Sequence, residues 1–152
     1  MYAAQTKHTL ENLGITRKYK GFYYLSDAVE IVNLNETTLL NVGKQIYSPI
    51  SIKYNCNSRT IERNIRTVIL NAWKDNKYQI ENIMGVKLTS PPTVTEFIDG
   101  LAYYVKTRNN TYKNIIQRYL LLKVTHRNFA SLVPTGHDMQ RQVVFPKKNR
   151  RD

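Results

Sequence analysis

Cysteine is almost absent from this chain of 152 residues. The one thiol, Cys56, excludes an internal disulfide framework and a thiolate metal cluster. Acidic residues are scarce: 11 Asp and Glu stand against 23 Lys and Arg, a formal charge of +12. No apolar run approaches the roughly 18 residues of a spanning helix. The opening MYAAQTKHTLENLG has no apolar h-region, so no signal peptide is expected and the expected compartment is the cytoplasm. Ser, His and Asp occur without a nucleophile elbow or a Gly-rich phosphate loop, which leaves an enzyme without a motif. His8, His126 and His137 are far apart and have no companion at ligand spacing. Neither a metal nor a cofactor is expected.

What remains is a chain with 41% hydrophobic residues, enough for a real core, and an excess of positive charge. Such a charge favours polyanionic partners, nucleic acid above all. It is unevenly spread. Residues 1–106 hold 13 basic and 9 acidic side chains, net +4, whereas 107–152 hold 10 and 2, net +8. This predicts a near-neutral folded unit, 1–106, followed by a basic extension, 107–152.

The pattern is helical throughout. A first helix is expected over 3–13, stopping at Gly14. A second runs over about 19–33, with Phe22, Leu25, Val29 and Val32 at i, i+3, i+7 and i+10. A third covers 36–47, capped by Asn35, with Leu39, Leu40, Val42 and Ile46 apolar. Ser48-Pro49 opens a short helix over 49–54, Asn55-Cys56-Asn57 reads as a turn, and a longer helix follows from 58 to about 74. That is a helix-turn-helix pattern. Further helices are expected over 78–84, ended by Gly85, and from a cap at Thr93 or Thr95 onward. A break is expected at 107–110, then a basic helix over 111–124 and a loosely ordered tail over 128–152. The tyrosines are expected mostly to pack with apolar faces, as at Tyr23, Tyr24, Tyr103 and Tyr104. The expected class is all-α: a compact bundle of about six helices around a helix-turn-helix, plus the basic helix and tail.

At 100° per residue, Arg59, Glu62, Arg63 and Arg66 fall within an arc of about 100° on the longer helix. Ile61, Ile65, Val68 and Ala72 lie opposite. A face with three arginines and a glutamate suits the DNA major groove. Arginine forks onto guanine O6 and N7, and glutamate accepts from cytosine N4. A helix made only for phosphates gains nothing from an anion in that place. The plainer alternative is a solvated face with a Glu62–Arg66 pair worth a few tenths of a kcal/mol.

Three stretches carry a resemblance: LGITRKYKGFYYLSDAV (Leu13–Val29), IYSPISIKYNCNSRTIERNIRTVILNAW (Ile46–Trp73) and PPTVTEFIDGLAYYV (Pro91–Val105). Together they resemble the C-terminal DNA-binding domain of the stage-zero A sporulation response regulators, over roughly residues 8–106. The resemblance implies an all-helical domain that binds a short TGTCGAA-like promoter box, often head to tail on tandem copies. It implies base contacts from Glu62, Arg63 and Arg66. It implies a phosphate contact from Lys53, and Asn57, Ser58, Arg59 and Thr67 around that set are further candidates for phosphate or flanking contacts. Departures fall around that set: Arg59 stands where the family has Ser, Thr60 where it has Arg, Asn64 and Thr67 where it has Ala and His, and Cys56 where it has Thr. The family's regulator also carries a phosphorylatable receiver domain; with only a few residues before the first helix, none is expected in this sequence.

The expected function is a sequence-specific regulator of transcription that binds double-stranded DNA, with RNA polymerase a further possible partner and no membrane association. The alternatives are a non-specific nucleic-acid binder driven by the tail, and a protein-interaction module on a helix-turn-helix scaffold.

Overall fold

The computed structural model describes the backbone of residues 2–125. They fall into two units, Met1–Tyr112 and Lys113–Asp152. Helix α1 spans Ala3–Asn12, α2 Lys20–Leu34, α3 Ser48–Lys53, α4 Ser58–Met84 and α5 Val94–Thr125. No strand occurs among the described residues, in keeping with the all-α expectation.

Helix α2 is the centre of the first unit. Phe22, Leu25, Val29 and Val32, the periodic set read from the sequence, are all fully buried. Gly21 brings α2 against α4. A Cβ at Gly21 would lie 2.5 Å from the Asn64 carbonyl oxygen and 2.9 Å from Val68 Cγ1. Only a residue without a side chain allows so close a backbone approach. On α4 the opposed stripe of Ile61, Ile65, Val68 and Ala72 is buried, together with Ile69.

Helix α4 is longer than expected because it continues through the expected loop at 75–77. It bends at Asn76, whose φ of −133° and ψ of 36° are not helical. The Asn76 carboxamide donates to the Leu13 carbonyl at 3.0 Å, which ties the bend to the end of α1. There Gly14 takes a left-handed φ of 77°. The expected 78–84 helix is thus the second segment of α4, and Gly85, left-handed at φ 69°, ends it. Beyond Gly85 the chain folds back on Glu81. This carboxylate is only 8% exposed. It accepts from the Leu88 amide at 3.0 Å and from Lys87 Nζ at 3.0 Å. Those two donors, the amide first, hold its pKa below the usual carboxylate range.

The 36–47 stretch is not the α-helix its apolar pattern suggested. It forms a 3-10 segment, Glu36–Asn41, and a wider π-type turn, Gly43–Tyr47. Short polar side chains compete with the helical ladder here. Asn35 Oδ1 accepts from the Thr37 amide at 3.1 Å, Thr38 donates to the Asn35 carbonyl at 2.7 Å, and Asn41 Oδ1 accepts from the Lys44 amide at 3.2 Å. Asn35 is the expected cap, but Leu40 points outward, 87% exposed. Tyr23 and Tyr103 are exposed as well, and so are Tyr19, Tyr78, Tyr112 and Tyr119, so fewer tyrosines are buried than expected, although the Tyr23 ring still meets Phe22 edge-on.

Helix α5 opens with a reciprocal cap. Thr93 Oγ1 accepts from the Glu96 amide at 3.2 Å, and Glu96 Oε2 accepts from the Thr93 amide at 2.8 Å. Phe97, Ile98, Leu101, Ala102 and Val105 are buried. The break expected at 107–110 does not occur. Thr107 donates back to the Tyr103 and Tyr104 carbonyls and Thr111 to the Thr107 carbonyl, each at 3.0 Å, so these hydroxyls support the helix rather than cap a new one. Within the second unit, helix continues to Thr125, and Ile115, Ile116, Tyr119, Leu120 and Leu122 are each about half exposed. The tail expectation over 128–152 lies outside the described residues. No helix among the described residues is long and apolar enough to cross a membrane.

Two outcomes follow for stability. Gly21→Ala forces backbone against backbone and should destabilise the protein by about 1–3 kcal/mol, the range of an overpacked core, read from a lower denaturant midpoint at unchanged slope. Glu81 has a lowered pKa in the fold, so its contribution is present above its unfolded value of about 4.3 and is lost as pH falls through the lower folded value. Glu81→Gln should therefore lower stability at pH 7 and flatten the acid limb of a stability–pH profile below about pH 4.3; an unchanged acid limb would contradict the assignment.

Candidate nucleic-acid interface

The helix-turn-helix is α3, a turn over Tyr54–Asn57, and the first segment of α4. Helix α3 is closed by the Tyr54 amide donating to the Ile50 carbonyl at 3.0 Å and the Cys56 amide donating to the Ser51 carbonyl at 2.9 Å. Between them Asn55 adopts a left-handed φ of 47°, a conformation asparagine tolerates better than most side chains. Asn57 then starts α4: its Oδ1 accepts from the Arg59 amide at 2.8 Å. Cys56 is half-buried in the turn, its Sγ 3.9 Å from the Tyr24 hydroxyl, as a small turn residue.

The exposed side of α4 carries Arg59, Arg63, Arg66 and Thr67, with Glu62 half-buried among them. Arg66 Nη2 donates to Glu62 Oε1 at 2.5 Å, the i,i+4 pair. Its isolated worth on an exposed helix is about 0.2–0.5 kcal/mol. Its greater effect is geometric, because it fixes the carboxylate beside Arg66 and balances its charge. Among the described residues, Arg63 has no ion-pair partner, so its fork is open to solvent. Thr67 donates to the Arg63 carbonyl at 2.9 Å, and Asn64 Nδ2 to the Thr60 carbonyl at 2.8 Å.

Tyr47 lies under this face. It is 8% exposed, and its hydroxyl is pushed up to about 12, by burial first and then by the Glu62 carboxylate, with Arg66 opposing. It is a neutral phenol at any physiological pH, a wall behind the ion pair. Lys53, at the end of α3, faces Asp27 of α2 at 2.8 Å and sits 5.3 Å from the centre of the Tyr54 ring. The hydrogen bond to Asp27 raises its basicity above the usual lysine value, so it stays charged. Tyr54 in turn packs edge-on against Tyr24, ring centres 4.9 Å apart.

The structure thus gathers Asn57, Ser58, Arg59, Glu62, Arg63, Arg66 and Thr67 along one side of α4, with Lys53 across the turn and already paired. Sequence reasoning missed Asp27, Tyr47, Tyr24 and Tyr54. Asp27 is 26 residues from Lys53, so no local spacing joins them. The one available signal for Tyr47 was its place beside the apolar Ile46, just before Ser48-Pro49.

A family model described as sporulation initiation factor Spo0A C terminal matches residues 6–105. The match runs from α1 through the helix-turn-helix to the buried part of α5. It describes a DNA-binding regulatory domain and not an enzyme family. With a helix-turn-helix in place and two thirds of its length matched, the chain belongs to the sporulation initiation factor Spo0A C-terminal family, a DNA-binding domain of transcription regulation in sporulation.

Proposed function

We propose that the chain is a sequence-specific regulator of transcription that lays the first segment of α4, residues 58–74, into the major groove of a TGTCGAA-like box. The observation that supports this best is the open Arg63 fork beside a carboxylate fixed by Arg66. An arginine in that state is ready to take guanine O6 and N7, and Glu62 to accept from a neighbouring cytosine N4. Arg66 then has two tasks: it orients Glu62 and contributes its remaining N–H groups to the base edge. Asn57 and Ser58 flank the positive end of the α4 dipole, which favours a phosphate there. Arg59, Thr67 and Lys53 border the same stretch and serve as flanking or phosphate contacts. A second copy bound head to tail on an adjacent box, and contact with RNA polymerase, complete the reading. The chain acts where DNA is, in the cytoplasm.

Residues 1–106 are the reading unit in this proposal, and 107–152, net +8, add sequence-independent phosphate affinity. Charge in a tail releases counterions without discriminating between bases. The division of labour gives the two parts different signatures.

Binding of matched and scrambled duplexes, titrated against salt, tests both. Arg63→Ala should remove about 1–3 kcal/mol of preference for the box and leave scrambled binding nearly intact. Replacing Lys147, Lys148, Arg150 and Arg151 with Gln should weaken both duplexes alike and reduce the log–log salt slope by about 0.9 for each phosphate no longer neutralised. An Arg63→Ala variant that weakens both duplexes equally would favour the non-specific binder. A wild-type protein that binds neither duplex at low salt would favour the interaction module.

A further inference from the structure

A cleft of about 530 Å³ opens in the first unit, among side chains of α1, the second segment of α4 and α5. That volume lies in the range of small-molecule sites, roughly 300–1,000 Å³. Among the described residues, none of its lining comes from the 58–74 stretch, and none is a carboxylate. It is therefore separate in residues and in charge from the DNA-reading face.

Its chemistry has three parts. Leu13, Ile83 and Val105, all buried, supply an apolar base. Asn12, Gln79 and Asn82 contribute carboxamides, each with two donors and an acceptor. Arg108 and His8 contribute nitrogen donors. The Arg108 guanidinium is already positioned: it stacks 5.1 Å from the Tyr104 ring centre, and Nη1 donates to the Tyr104 hydroxyl at 2.6 Å. A stacked guanidinium keeps a planar fork for an oxyanion, which a lysine would not. On α1, His8 Nε2 and Asn12 Nδ2 are 3.4 Å apart, so the histidine ring is held beside an amide.

We infer that this cleft binds a nucleoside monophosphate. The phosphate takes the Arg108 fork with His8 near it. The base lies on the apolar floor and the Tyr104 side, its polar edge met by the carboxamides, as Asn and Gln meet base edges elsewhere. A monophosphate carries about −1.5 to −2 at pH 7, which the fixed Arg108 cation and the N–H donors around it can meet. A triphosphate would bring charge for which this lining has no second fixed cation. The inference does not depend on the proposed box, and its failure would leave that reading untouched.

Calorimetry on the full chain with the four common nucleoside monophosphates, the matching nucleosides and inorganic phosphate tests it. At least one monophosphate should bind with Kd below about 1 mM, with its nucleoside and inorganic phosphate at least about tenfold weaker. Arg108→Ala and Asn82→Ala, both at exposed positions, should each weaken that binding about tenfold at unchanged thermal stability of the free protein. Arg63→Ala should leave it within about twofold. No monophosphate bound below about 1 mM would overturn the inference. So would inorganic phosphate binding as well as the nucleotides, or a loss that follows Arg63 in place of Arg108.

Discussion

Everything at the proposed DNA-reading face depends on how closely α2 approaches α4. Gly21 lets the two backbones meet at a spacing that any Cβ would prevent, with the Asn64 carbonyl as its neighbour. Asn64 lies in the same helical turn as Glu62, Arg63 and Arg66. The contact therefore sets the height of the reading face above the core. Burial of Phe22 and Leu25 against Ile61, Ile65 and Val68 then holds that height without polar contacts. Side chains that meet base edges need such a rigid base, because a displacement of about an ångström is enough to lose a bidentate hydrogen bond.

Electrostatics on that face is local and not a matter of net charge. The unit that carries it is only +4 over residues 1–106. Two carboxylates lie next to its cations, Glu62 beside Arg66 and Asp27 beside Lys53. Each pair is partly exposed and adds little stability. Each has a positional effect: one fixes an acceptor on the exposed side of α4, and the other fixes a lysine at the end of α3. The Tyr47 phenol beneath the first pair and the Tyr54 ring beside the second exclude water from one side, which strengthens both orientations.

Much of this was legible in the sequence because it rests on short-range periodicity. The core stripes of α2, α4 and α5, the Asn35 and Asn57 caps, the Gly85 stop and the helix-turn-helix spacing all follow from side chains within a few residues of one another. The misses share a cause as well. The 36–47 stretch has apolar residues at plausible helical spacing, but Asn35, Thr38 and Asn41 divert its backbone hydrogen bonds. At 107–110 polar residues suggested a boundary, and their hydroxyls instead bond back into α5. The bend at Asn76 is fixed by a carbonyl 63 residues away. The Lys53–Asp27 pair and the Tyr47 wall are tertiary as well, and nothing at short range announces them. The same holds for the cleft of Arg108 and the carboxamides, which assembles side chains from α1, α4 and α5.

In the proposed reading three side chains of α4, Glu62, Arg63 and Arg66, choose a sequence, while the basic extension only adds affinity. Selection of bound duplexes from a random pool tests it most directly. One box containing CGAA should be enriched, with the cytosine and guanine positions relaxed when Glu62 and Arg63 are replaced by Ala. A pool that stays random while the protein binds it tightly would contradict the account.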